Sequence, residues 1–166
     1  MSAATEILDF LYLSSYREML TERSRGTFGV THILNVKEGI RFEEDSAVEV
    51  LHIPLSDYGE TDLRRVFPDC FAFIERAREA GGKILVHCRS GQNRSTTVVV
   101  GYLTFVRGMT LRESWEHVST RRPFVTIAEP YWAQLEALEK ALKNESTFSY
   151  DILKAQLLEA LGRFEK

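Results

Sequence analysis

No stretch of the chain constrains its fold as tightly as Ile84-Leu85-Val86-His87-Cys88-Arg89-Ser90-Gly91-Gln92-Asn93-Arg94-Ser95. A short aliphatic strand ends at a cysteine, and a loop with a central glycine follows. Arg94-Ser95 then opens a segment that stays apolar nearly all round to Val106. Such a segment reads as a central, buried helix. A loop leading from a strand into a helix N-terminus turns successive backbone N–H groups toward one concavity, which suits a tetrahedral oxyanion. Gly91 permits the backbone conformation that this cradle needs. Arg94 offers a planar fork for two phosphate oxygens, a match that a lysine ammonium lacks. Cys88 falls at the bottom of the bowl, where the helix dipole and Arg94 favour the nucleophilic thiolate. A lone cysteine at a strand end is usually inert core. The spacing to Arg94-Ser95, framed by strand and helix, argues for chemistry instead.

The remainder of the sequence supplies a frame for that loop. Short apolar runs at Phe10–Leu13, His32–Val36, Val48–Ile53 and Lys83–His87 read as strands. They alternate with helical patterns, so the expected architecture is α/β, a central and mostly parallel sheet flanked by helices. The first helix is expected from Ser14 or Ser15, both good N-caps, to just before Gly26. The second spans Leu63–Ala80, capped by Thr61 or Asp62, with Val66, Cys70, Phe73, Ile74 and Ala77 on one face. Gly81-Gly82 ends it. Leu111–Thr120 and Ala128–Lys143 complete the helical set, and Arg41–Glu49 reads mostly as an acidic surface loop. A length of 166 residues, 44% of them hydrophobic and 27% charged, fits one globular domain and excludes a mainly disordered chain.

These motifs resemble a known superfamily. His87-Cys88-x5-Arg94-Ser95 is similar to the signature of the cysteine-dependent phosphatases, and the surrounding chain resembles a small stand-alone dual-specificity phosphatase. Leu11-Tyr12-Leu13-Ser14-Ser15, Gly29-Val30-Thr31-His32-Ile33-Leu34-Asn35-Val36 and Ile53-Pro54-Leu55-Ser56-Asp57 resemble its early landmarks. Gly101-Tyr102-Leu103, Gly108-Met109-Thr110 and Arg121-Arg122-Pro123 resemble its later ones, so the likeness runs in order from about residue 7 to residue 143. It implies the cysteine-dependent phosphatase fold, with residues 1–144 as catalytic domain and phosphoproteins, bearing phosphotyrosine or phosphoserine and phosphothreonine, as substrates.

The resemblance also implies a two-step reaction. Cys88 attacks phosphorus, and water hydrolyses the cysteinyl-phosphate. Arg89, Ser90, Gly91, Gln92, Asn93 and Arg94 would hold the phosphate, and His87 would orient the loop through its backbone. Ser95 matches the hydroxyl that hydrogen-bonds the cysteine sulfur and helps it leave; on its own it reads as a helix-start serine. Both steps need a proton carrier. Asp57 lies 31 positions before Cys88 in a loop that Gly59 loosens, where the family places an aspartate. Asp62 is the rival, better placed as a helix N-cap. In some relatives a second cysteine captures an oxidised nucleophile; Cys70 could serve so, against the plainer reading of a core helix position. His32, His52 and His117 show no metal-ligand spacing, and neither a metal nor a cofactor is expected.

Other functions are open on the same residues. Gly91-Gln92-Asn93-Arg94 also fits the Gly-x-Asn-Arg pattern of phosphatase-like RNA 5′-triphosphatases, but those have Thr after the Arg and a basic surface. This chain has Ser95, Asp57 and a net charge of -3, so no nucleic-acid partner is expected. Inositol-lipid enzymes of this fold usually carry Lys in the loop, whereas Arg89 here is flanked by neutral Ser90, Gln92 and Asn93. A phosphate-reading pseudophosphatase would lack Cys88, Arg94 or Asp57. Thr126-Ile127-Ala128-Glu129-Pro130 departs from the family's usual Pro-Asn, a change expected to touch a helix start and not the chemistry.

The edges of the chain say less. Arg64-Arg65 could dock an acidic substrate segment, though such a pair is more often a solvated helix face. Two cysteines and an N-terminus without a basic region or Gly at position 2 lead to the expectation of a reduced, cytoplasmic or nuclear protein. Thr96–Val106 is too short to span a bilayer. Residues 145–166 read as an appended helix with Ser149 as N-cap and Tyr150, Leu153, Leu157, Leu161 and Phe164 on one face. That face is expected to pack on its own domain, its heptad-like spacing being the alternative signal of a homodimer or partner helix.

Overall fold

A computed structural model describes residues 3–39 and 47–147. The elements in chain order are β1 (Thr5–Leu8), β2 (Leu11–Ser14), α1 (Tyr16–Arg25), β3 (His32–Asn35), β4 (Glu49–His52), α2 (Leu63–Glu79), β5 (Ile84–His87), α3 (Arg94–Phe105), α4 (Leu111–Arg121) and α5 (Glu129–Lys143). The sheet runs β1-β2-β5-β3-β4, with β5 at its centre. Strands β2, β5, β3 and β4 are parallel, as the alternation of short strands and helices requires.

Burial on both faces explains why β5 is an unbroken aliphatic run. Ile84 and Val86 point into the larger core with Leu34 of β3, Leu11 and Leu13 of β2, and the apolar sides of α2, α3 and α5. Leu85 points the other way, with Ile33 and Tyr12, onto Met19 of α1. Each such residue taken fully out of water contributes roughly 1.5–3 kcal/mol. Helix α3 is buried from Arg94 through Thr104, as its all-round apolarity requires.

Local chemistry sets the helix ends. Ser15 caps α1 in a reciprocal box with Glu18, and Gly26 closes the helix in the left-handed region. Asp62, not Thr61, caps α2 by accepting from the Arg64 N–H. Thr110 and Glu113 form a second box at the start of α4.

The strand β1 was not legible as an element. Of its four residues only Ile7 is buried, and it holds its place by antiparallel pairing with β2 across the Asp9-Phe10 turn. It makes the sheet mixed, the one departure from parallel order. The expected C-terminal helix lies outside the described residues from 148 onward, as does most of the expected acidic loop at 40–46. Residues 145–147 are not helical: Asn144 turns left-handed after α5, and Thr147 N–H donates to Glu139 Oε1 at 2.6 Å.

Candidate active site

Two loops leave the C-terminal edge of the parallel sheet side by side, the place where open α/β sheets bind ligands. One joins β5 to α3 (residues 88–93); the other joins β4 to α2 (53–62).

The first loop is pinned from outside by its carbonyl oxygens. Cys88 O meets His87 Nδ1 at 3.1 Å, Arg89 O accepts from Tyr16 N–H at 3.0 Å, and Gln92 O accepts from Thr126 N–H at 2.9 Å. Gly91 O accepts from Arg122 Nε at 2.9 Å. A trans peptide points its N–H opposite its carbonyl. The N–H groups of Arg89, Ser90, Gln92 and Asn93 are therefore directed toward the concave side, where an anion would sit. Gly91 has φ +68, and a Cβ there would come within 2.6 Å of the Ser14 and Ser15 backbone, so only glycine fits.

Behind this loop stands a pair that the sequence reading did not assign. Arg122 is buried and donates from Nη2 to Glu18 Oε1 at 2.6 Å and from Nη1 to Thr5 Oγ1 at 2.9 Å. Burial alone would raise the Glu18 pKa, but the hydrogen bonds from Arg122 and Ser15 outweigh it and hold the carboxyl below its ordinary value. The only sequence signal for the pair is Arg121-Arg122-Pro123; nothing marks Glu18 beyond its place in a capping box.

Inside the bowl, Cys88 Sγ lies 3.1 Å from Ser95 Oγ, both residues buried. Arg94 is buried as well, with Nε 3.3 Å from Asp57 Oδ1. Asp57, whose side chain is 56% exposed, thus hangs over the pocket from the neighbouring loop. Asp62 is engaged elsewhere: its carboxylate pairs with Arg64, a contact that holds its pKa below the usual value. Arg64 is thereby paired, and it and Arg65 lie on a solvated face at 75% and 86% exposure.

Asn93 ties the two loops together. Its Nδ2 donates to Asp57 O at 2.9 Å and to Asp57 Oδ1 at 3.1 Å, while its Oδ1 accepts from Ala128 N–H at 2.8 Å. The start of α5 is therefore joined to the site through a backbone N–H, a contact that does not depend on the side chains at the Thr126–Pro130 departure. From α5 itself, Tyr131 donates to Ser56 O and Gln134 Nε2 donates to Thr61 O at 2.9 Å. Gly59, at φ +86, lets the loop pass Pro130, whose Cβ would lie 2.7 Å from an added side-chain carbon.

The remaining candidates are packed. His87 is buried, and desolvation pushes its pKa down to about 4, so the ring is neutral near pH 7. Burial pushes the Cys70 thiol up to about 12, the behaviour of a core side chain with little thiolate for disulfide exchange. His32, His52 and His117 each face a local partner: Glu49, Lys37 O and Ile7 O. Among the described residues no helix is long and apolar enough to cross a membrane.

Fold and loop together define a phosphatase of the cysteine-dependent superfamily. The chain belongs to the family whose model is described as dual specificity phosphatase, catalytic domain, which matches residues 11–141. It is 35% identical over 140 residues to Dual specificity protein phosphatase 1 of Arabidopsis thaliana, covering 83% of this chain and 70% of that one. It is 33% identical to Dual specificity protein phosphatase Mpk3 of Drosophila melanogaster, of whose length it spans only 35%. The crystal structure of human DUSP28 superposes with a TM-score of 0.79 at 29% identity, over 86% of this chain and 97% of that one. PTPMT1, solved in complex with PI(5)P, shares the fold at 20% identity and a TM-score of 0.73.

Proposed function

We propose that the chain hydrolyses phosphate monoesters on protein side chains by way of a cysteinyl-phosphate on Cys88. The observation that carries this reading is the convergence of Cys88, Ser95, Arg94 and Asp57 on one strand end, with Cys88 Sγ 3.1 Å from Ser95 Oγ and Asp57 Oδ1 3.3 Å from Arg94 Nε.

In the first step the Cys88 thiolate donates an electron pair to phosphorus, and the bond from phosphorus to the leaving oxygen breaks. The Asp57 carboxyl supplies the proton that neutralises that oxygen. Arg94 and the loop N–H groups hold the non-bridging oxygens, whose charge they are preorganised to meet. In the second step water attacks phosphorus and gives its proton to the Asp57 carboxylate. The sulfur–phosphorus bond then breaks, and the Ser95 hydroxyl donates to the departing thiolate. Phosphate leaves and the enzyme returns to its starting state. Asp57 fits the carrier role better than Asp62, because the latter is fixed as an ionised cap beside Arg64.

Protein substrates are favoured by the relatives' names and by a loop whose only cation besides Arg94 is Arg89. The test is a matched panel of phosphotyrosine and phosphothreonine peptides, a phosphoinositide and a 5′-triphosphate RNA, with Cys88→Ser as the blank. Peptide turnover that disappears in Cys88→Ser, with phosphopeptide binding retained, is the expected result. Turnover confined to lipid or RNA would overturn the substrate class, and an active Cys88→Ser would overturn the nucleophile.

A further inference from the structure

The geometry points to Asn93 as the residue that positions the Asp57 loop over the phosphate cradle, setting how well protons reach poor leaving groups. This rests on the reading of Asp57 as proton carrier and adds to it. By position alone Asn93 belongs to the phosphate loop, and its backbone N–H remains directed at the bowl. Its side chain does something else.

Both polar ends of that side chain are engaged away from the bowl. A carboxamide has two donor hydrogens and one carbonyl oxygen. Nδ2 spans the Asp57 backbone carbonyl at 2.9 Å and the Asp57 carboxylate at 3.1 Å. Oδ1 takes the N–H of Ala128 at 2.8 Å. One side chain thus fixes the acid loop's backbone and aims its carboxylate, while being itself braced by the start of α5. Asp57 needs such a guide, since its side chain is more than half exposed. An exposed carboxylate left to itself spreads over several rotamers, each populated position away from the leaving oxygen lowering the rate.

The far side of the same loop is held from α5, by Tyr131 to Ser56 O and by Gln134 to Thr61 O. Those contacts fix the loop's flanks and leave Asp57 between them to Asn93 and Arg94. Serine at position 93 is too short to bridge Asp57 and Ala128 together. Aspartate would keep the acceptor for Ala128 N–H but replace the donor with a second carboxylate facing Asp57.

The experiment compares Asn93→Ser, Asn93→Asp and Asp57→Asn with the unaltered chain on phenyl phosphate and 4-nitrophenyl phosphate, with orthovanadate inhibition reporting the cradle. Phenolate is the poorer leaving group and depends more on the proton. Asn93→Ser is expected to lose about tenfold in kcat on phenyl phosphate, and about twofold or less on 4-nitrophenyl phosphate, with vanadate inhibition unchanged. Asn93→Asp keeps the acceptor for Ala128 N–H and loses the donor to Asp57, so it is expected to show the same leaving-group dependence as Asn93→Ser. Equal losses on both substrates together with weakened vanadate inhibition would make the Asn93 side chain part of the cradle and overturn the proposal. So would an Asn93→Ser variant with undiminished rates. Asp57→Asn separates the two levels. If it shows no leaving-group dependence, the proton-carrier reading itself fails; if it does and Asn93→Ser does not, only the role of Asn93 falls.

Discussion

At the residue scale, chemistry in this site is a matter of which neighbour each polar atom has. Ser95 is buried at the first turn of α3, and its hydroxyl lies 3.1 Å from the Cys88 sulfur. A hydroxyl so placed favours charge on the sulfur, so it helps the second step, where that charge builds as the sulfur–phosphorus bond breaks, and not the first, where the charge is lost to phosphorus. Ser95→Ala is therefore expected to slow the second step preferentially. Rapid-quench kinetics should show a burst of released alcohol followed by a slower steady state, with kcat down about tenfold or more. A fall in burst rate equal to the fall in steady-state rate would assign Ser95 to the first step. The sequence groups Cys88, Arg94 and Ser95 around one loop because their spacing is local. It assigned Asn93 only to phosphate binding, because the partners of its side chain, Asp57 and Ala128, are both about 35 residues away in the chain.

At the scale of elements, the cradle depends on a contact between helices that share no local signal. Arg122, just past the C-terminal end of α4, reaches Glu18 on α1, Thr5 on β1 and the Gly91 carbonyl in one side chain. Both charged groups are buried, with 1% and 4% of their side chains exposed. Removing one partner leaves the other uncompensated, which costs about 3–5 kcal/mol. Arg122→Leu is expected to lower the urea-unfolding free energy by that amount. Arg122→Leu with Glu18→Leu should recover part of it, since no unpaired buried charge remains. The double variant should still lose phosphate affinity, because Gly91 O no longer has its donor. Full affinity in the double variant would show that the loop holds its shape without Arg122. Strand β1 escaped notice for a related reason. A four-residue edge strand with one buried side chain has no periodicity to read, and only pairing with β2 makes it a strand.

At the scale of the whole molecule, the buried His87 couples folding to pH. Its ordinary pKa of 6.5 applies to the unfolded chain, and burial lowers the folded value to about 4. Between those values the unfolded state binds the extra proton. Stability is thus full above about 6.5 and falls as pH drops toward 4, with roughly 2 kcal/mol lost by about pH 5. The carboxylates held below their ordinary values, Glu18, Glu75 and Glu113, lose their contribution only as pH falls through and below 4.5. Denaturant unfolding at pH 7 and pH 5 therefore reads the His87 contribution ahead of those carboxylates, and His87→Gln should reduce the difference. An NMR titration showing His87 protonated near pH 6 in the folded protein would contradict this.

What the sequence alone determined is what lies within a few residues: an aliphatic strand feeding a glycine loop and an apolar helix, the Cys88–Arg94 spacing, caps narrowed to Ser14 or Ser15 and to Thr61 or Asp62, and the α/β alternation. Periodicity, capping and turn chemistry are short-range, so they survive in one dimension. Tertiary structure alone decided the rest. It turned the Asn93 side chain from the phosphate to Asp57, buried Arg122 against Glu18, and tied the start of α5 to the site. Those choices rest on contacts between residues 31 to 104 positions apart. Such contacts exist only once the sheet has brought the ends of β4 and β5 together, because a side chain's partners depend on the packing around it and not on its neighbours in the chain.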